Sequence, residues 1–263
     1  MVCLTAMKQL LVMGFLFGLS GTANAQAPTP KEIATAHGEN ALSAFGAVKA
    51  DLALDFGGKP RIRGTLWTSS DGGLTRIEHR SGKTVVFDGR TAWVAPAGKA
   101  SKSDRFDALT WSYFLLAPFK LGDPGANFAQ NGVLPWAGRE SVPTGKLTFE
   151  SGVGDAPDDW YVTYADSDTH VLNGLAYIVT FGPQKKTEAE KEPHAVVYTE
   201  VQDVQGVKLA TQWRFHLWSA EKGVFGDPIG SARISDIELI DKAGPDLFRA
   251  PEGSREVVLP IDG

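Results

Sequence analysis

From Val48 onward the chain alternates. Leu52, Leu54 and Phe56 take turns with Asp51, Ala53 and Asp55 until Gly57-Gly58 ends the run. A period of two sends successive side chains to opposite faces and predicts a half-buried β-strand. The same pattern predicts strands over Arg61 to Thr68, Leu74 to His79, Thr84 to Phe87 and Thr91 to Val94. Asp71-Gly72-Gly73 and Asp88-Gly89 supply turns, and Asp-Gly between two β-rich runs is a strong hairpin signal. Turns this short leave no room for helical crossovers, so the five strands are expected as an antiparallel meander.

Two stretches break the period. Thr29-Pro30-Lys31-Glu32 reads as a helix start, with Thr29 as cap, Pro30 in the first turn and Glu32 completing a capping box. Ile33, Ala36, Ala41, Leu42 and Phe45 continue it as an apolar stripe that Gly38 weakens. From Ser103, Phe106, Leu109, Thr110, Tyr113, Phe114 and Ala117 recur at helical spacing, with Ser103 as cap and Asp104 favouring the N-terminus. Trp111, Leu115 and Leu116 fall on the other faces of this helix, so it needs cover on more than one side. Pro118 is expected to stop it, and Leu121 to Arg139, rich in Gly, Pro and Asn, to form a loop.

Strands return over Lys146 to Glu150, Trp160 to Ala165, Val171 to Phe181, His194 to Val201, Val207 to Trp218 and Ala232 to Ile240. Val171 to Phe181 is apolar on both faces, as a strand covered from both sides should be. The expected fold is mainly β, a single antiparallel domain of about eleven strands with no composition break to divide it.

The N-terminus reads differently. Lys8 precedes an uncharged apolar run from Leu10 to Leu19, and Ala23-Asn24-Ala25 has the small-x-small form of a signal-peptidase site. Residues 1–25 are therefore expected to be a signal peptide, leaving 26–263 as the mature domain in the periplasm or outside the cell. The apolar run is about ten residues, against roughly 20 for a membrane span. Cys3 is the sole cysteine and goes with the signal, so no disulfide, thiol chemistry or lipid anchor is expected in the mature chain. Loss of Lys8 leaves 25 basic against 31 acidic residues, a formal charge of −6. That balance argues against nucleic acid as a partner.

No motif spells out a reaction or a cofactor. The five histidines, His37, His79, His170, His194 and His216, lack metal-ligand spacing, and no G-x-S-x-G, GxGxxG or P-loop occurs. Asp155, Asp158 and Asp159, with Asp166 and Asp168, could supply oxygen ligands to Ca²⁺ or cap backbone amides in turns. The spacing matches no EF-hand loop, and no metal or cofactor is expected. The aromatic content is the clearer signal. Seven tryptophans in one domain are core filling or the wall of an apolar site.

Gly64-Thr65-Leu66 through Arg76, then Val85-Val86-Phe87-Asp88-Gly89 and Ala92-Trp93, resembles the lipoprotein-carrier superfamily of LolA- and LolB-like proteins. Arg105-Phe106, Thr110-Trp111, Tyr113-Phe114, Pro118-Phe119-Lys120-Leu121 and Gly154 to Tyr161 resemble an uncharacterised branch of exported bacterial proteins with that fold, over about residues 30 to 245. Where the carriers have Pro-x-Phe-Arg before the hairpin, this chain has Leu74-Thr75-Arg76-Ile77. The resemblance implies a half-barrel with helices on its concave side and an acyl chain held under them. On that basis Trp93, Phe106, Trp111, Phe114, Leu115, Trp213 and Phe215 are the expected ligand-binding residues. Arg76 is the positional match to an arginine that latches the lid, with Arg61 and Arg63 nearby on a shared face. The expected partner is an apolar small molecule or lipid. A hydrolase using carboxylates of the Asp155 to Asp159 loop, or a structural module of the cell envelope, are the alternatives.

Overall fold

The computed structural model describes residues 26–182, 184–244 and 246–258. The expected signal peptide lies outside the described residues. The chain opens with two short helices, α1 (Pro30–Ala36) and α2 (Glu39–Leu42), and the five-strand meander follows: β1 (Ala47–Phe56), β2 (Lys59–Ser69), β3 (Thr75–His79), β4 (Thr84–Phe87) and β5 (Ala92–Ala95). Helix α3 (Asp104–Lys120) leads to β6 (Ala126–Trp136), β7 (Arg139–Phe149), β8 (Trp160–Ala165) and β9 (Leu172–Tyr177). A turn of helix, α4 (Lys186–Ala189), then precedes β10 (His194–Val204), β11 (Val207–Ser219), β12 (Gly223–Ile240) and β13 (Arg255–Val257).

All thirteen strands belong to one antiparallel sheet, in the order β13-β5-β4-β3-β2-β1-β12-β11-β10-β9-β8-β7-β6. Two meanders, β1 to β5 and β6 to β12, join where β12 lies against β1. The sheet is open, with β13 and β6 at its edges. Its strand count exceeds the expected eleven because the segment expected as a loop after Leu121 forms the β6–β7 hairpin, and because β13 adds to the edge beside β5. Gly, Pro and Asn in β6 masked its strand character. The positions are largely exposed at a sheet edge, where burial imposes no alternation.

The capping box at Thr29 forms as expected, with Glu32 N–H donating to Thr29 Oγ1 and Thr29 N–H donating to Glu32 Oε2. Gly38 then breaks the helix in two. It sits at φ +87°, and a Cβ there would lie 1.9 Å from the Gly206 carbonyl oxygen. His37, beside it, is fully buried and used at both ring nitrogens: Nδ1–H donates to Lys208 O at 2.7 Å and Nε2 accepts from Leu172 N–H at 3.0 Å. One imidazole thus ties α1 to β11 and β9.

Helix α3 runs two residues past Pro118, which sequence alone would make its end. Proline has no N–H to bond the carbonyl of Phe114, four residues back. The Tyr198 hydroxyl on β10 donates to that carbonyl at 2.9 Å, so the orphan acceptor is satisfied and the helix continues. Ser103 does not cap. Instead Asp104 Oδ2 accepts from Ser101 N–H at 2.7 Å.

Two cores result, one per face of the sheet. The larger, between the sheet and α1 to α3, contains Leu52, Leu66, Ile77, Val94, Trp111 and Phe215. The smaller, on the opposite face, contains Trp136, Tyr164, Ile178 and Trp218, with Ala189 of α4 against it. Strand β9 and the residues after it lie between the two, Leu175 and Tyr177 facing one and Ala176 and Ile178 the other. The expectation of cover on both faces holds here, although the strand ends at Tyr177 rather than Phe181.

Burial lowers the basicity of the His37 imidazole below its ordinary value of 6.5. The unfolded chain therefore takes up the proton first, and stability is lost as pH falls through 6.5 toward the lower folded value. Replacement His37→Gln is expected to destabilise the protein by about 1–3 kcal/mol at pH 7.5, because buried partners lose their bonds. It also removes one titrating group, so the variant should lose less stability between pH 7 and pH 5, the difference being at most about 1.4 kcal/mol per pH unit. Urea unfolding of both proteins across that range checks this.

Candidate functional site

Charged groups at its N-terminal end set α3 in place. Asp104 is fully buried and accepts from Lys83 Nζ at 2.6 Å. Asp107, 4% exposed, accepts at Oδ1 from Arg61 Nε at 3.0 Å and from the Trp111 indole N–H at 2.9 Å. Both acids lie in the first turn, where the helix dipole favours negative charge. Burial still pushes the Asp107 carboxyl up, against the pull of Arg61 and Trp111. At the other end Lys120 Nζ donates to Asp71 O at 2.6 Å.

The arginine that joins sheet to helix is Arg61. Arg76, expected in that role, bonds Glu78 on its own strand at 2.7 Å and the Leu247 carbonyl at 3.3 Å. Strict alternation would put Arg61 on the face of Arg63. A bulge intervenes, since Leu54 pairs with Ile62 while Asp55 pairs with Pro60, so Arg61 is the extra residue. Bulges re-aim side chains. Arg61 turns toward α3, its guanidinium 6.0 Å from the Phe106 ring, whereas Arg63 chelates Asp55 on the other face at 2.6 and 2.8 Å.

Beside the helix lies a cleft of about 480 Å³. The stripe Phe106, Leu109, Thr110 and Tyr113 forms one wall, and Phe149 of β7, Tyr161 of β8 and Tyr177 of β9 face it. Tyr113 and Tyr161 stack with ring centroids 5.4 Å apart, and Phe149 meets Tyr161 edge-on at 5.8 Å. The segment between β7 and β8 covers one side through Val153, Asp155 and Asp159. Arg105 secures this segment to the helix by chelating Asp155 at 2.5 and 2.8 Å.

Of the residues expected at a ligand site, Phe106, Trp111 and Phe114 line this cleft. Trp213 and Phe215 lie behind them in the core, 6.3 and 5.9 Å from the Phe114 ring. Leu115 is 1% exposed within the same core. Trp93 stands apart: its neighbours Ala92 and Val94 face the core, and its indole N–H donates to Asp88 in the adjoining turn at 2.8 Å. Sequence reasoning passed over Tyr161, Tyr177 and Phe149. Strands β8 and β9 are apolar on both faces, so nothing local says which of their residues stand opposite the helix stripe, or that Phe149 of β7 does.

Of the aspartates between Asp155 and Asp168, three have distinct roles. Asp155 is held by Arg105. Asp159 Oδ1 accepts from Thr180 N–H at 2.6 Å and Thr180 Oγ1 at 2.8 Å. Burial nevertheless pushes its carboxyl up to about 6. Asp166 caps its own turn, accepting from Asp168 and Thr169 amides.

No family model matches the chain, and no curated protein does. Among solved structures it is similar to a DUF1329 family protein from Desulfovibrio piger, with TM-score 0.52 and 13% identity over 85% of this chain and 98% of that one. It is similar also to a LolA superfamily protein from Nitrosomonas europaea, with TM-score 0.51 and 11% identity over the same shares. The likeness is one of fold. This is a LolA-like open antiparallel sheet with α1 to α3 on one face.

Replacing Arg61 with Met leaves Asp107 buried without its cation, and the expected loss of stability is about 2–4 kcal/mol. Arg76→Met should cost under about 1 kcal/mol, since its partner Glu78 is well exposed. Chemical denaturation of the two variants checks the assignment, and adding Asp107→Asn to Arg61→Met should recover part of the loss.

Proposed function

We propose that the chain is an exported binding or carrier protein whose cleft holds an apolar molecule, a lipid or acyl chain, between α3 and strands β7 to β9. The observation that carries this reading is the cleft itself. Its volume of about 480 Å³ falls within the roughly 300–1,000 Å³ of small-molecule sites. Its aromatic walls come from elements far apart in the chain. Export rests on the N-terminal signal, which precedes the described residues. Among the described residues no helix is long and apolar enough to cross a membrane.

Affinity would come from apolar area withdrawn from water, about 25 cal/mol per Å² before ordering costs. The hydrolase alternative needs two free carboxylates in one cleft. Of the carboxylates lining the cleft, Asp155 is paired with Arg105 and Asp123 with Lys120, so among the described residues Asp159 has no second free carboxylate beside it and that reading is the weaker.

The test is native mass spectrometry, with organic extraction, of the mature protein purified from its own periplasm. A lipid or other apolar molecule present near one per chain is the expected result. Leu109→Arg should lower uptake of the neutral probe N-phenyl-1-naphthylamine about tenfold or more, because it places a charge on the cleft wall. A clean apo mass together with no uptake of the probe by the unsubstituted protein would overturn the proposal.

A further inference from the structure

The charges lining the cleft do not cancel. Arg61 is paired with Asp107, Lys120 with Asp123, and Asp155 with Arg105. Burial lowers the basicity of His194, so its ring supplies no compensating charge at neutral pH. Asp159 has no cationic partner among the described residues. Both hydrogen bonds from Thr180 land on Oδ1, Oδ2 has no hydrogen-bond partner among the described residues, and Asp159 lines the cleft.

The cleft that Asp159 lines has largely aromatic walls. Burial pushes up the hydroxyls of Tyr113, Tyr161 and Tyr177, which all line the cleft, and the Asp159 charge adds to the same shift. Tyr161 stands between the other two, 5.4 Å from the Tyr113 ring and 6.1 Å from that of Tyr177. The Tyr113 hydroxyl is buried with no hydrogen-bond partner. Ring faces carry negative quadrupole, and a desolvated carboxylate among them is the chemistry that recognises an organic cation. An anionic head group would meet the unpaired carboxylate and be repelled.

We propose that the occupant of the cleft is an amphiphile with a cationic, alkylammonium-type head, its charge set against Asp159 and its N-alkyl groups against the rings of Tyr113, Tyr161 and Tyr177. This rests on the apolar-ligand reading above and narrows it to one class of head group. The apolar tail takes the wall formed by Phe106, Leu109 and Phe149.

The experiment compares dodecyltrimethylammonium, dodecyldimethylamine N-oxide and dodecyl sulfate by calorimetry at pH 7.5, below their micelle concentrations. The tails are identical and the first two heads differ by one methyl group against one oxygen. The ammonium compound should bind about tenfold tighter than the N-oxide, with the sulfate weakest. Asp159→Asn keeps an oxygen for Thr180 and should bring the first two compounds within about twofold of each other. Asp158→Asn should leave the preference unchanged, and Tyr161→Leu should reduce it several-fold. Equal binding of the ammonium compound and the N-oxide, or a preference that survives Asp159→Asn, overturns this inference and leaves the carrier reading standing. If none of the three binds, this inference falls, and the carrier reading falls with it when the apo mass is clean and the neutral probe is not taken up either.

Discussion

Asp107 is almost wholly removed from water, and a carboxylate in that position is unstable unless something answers its charge. Arg61 does so across the gap between sheet and helix, and Trp111 adds an indole N–H to the same oxygen. Much else follows from this contact. It fixes the rotation of α3, which is apolar on most faces and has no strong side preference of its own. Asp104 with Lys83 holds the same end, and the Tyr198 hydroxyl holds the helix at Phe114. With α3 set, Trp111, Leu115 and Leu116 pack into the core while Leu109, Thr110 and Tyr113 face the cleft.

The helix therefore acts as a fixed wall rather than a loose cover. Its fastenings reach β2 through Arg61, β4 through the adjacent Lys83, and β10 through Tyr198. The opposite wall belongs to the second meander, and the Arg105–Asp155 pair ties the segment after β7 to the helix. The cleft lies between α3 and the second meander. Behind the helix Phe215 packs against Trp111 and Trp213 against Phe114.

Much of this was legible in the sequence, and the failures have physical causes. The first meander alternates because one face is buried, and its hairpins carry their own turn residues. The stripe from Phe106 to Tyr113 announced itself by spacing and does line the cleft. Tertiary contacts decided the rest. Pro118 fails to end α3 because a hydroxyl from a distant strand takes the freed carbonyl. Arg61, rather than Arg76, reaches the helix because one extra residue in β2 turns it to the other face. Strand β6 escaped notice because an exposed edge needs no apolar pattern. Trp93, expected at the ligand site from the resemblance, bonds Asp88 in the adjoining turn and does not line the cleft.

The most direct test of a fixed α3 beside an accessible cleft is hydrogen exchange by mass spectrometry, with and without a saturating apolar ligand. The account predicts that amides from Ala108 to Leu116 exchange slowly in both states, with added protection confined to β7 to β9 and residues 150–159. If the α3 amides exchange as fast as loop amides in the free protein and become protected only on loading, the helix is a moving lid and the account is contradicted.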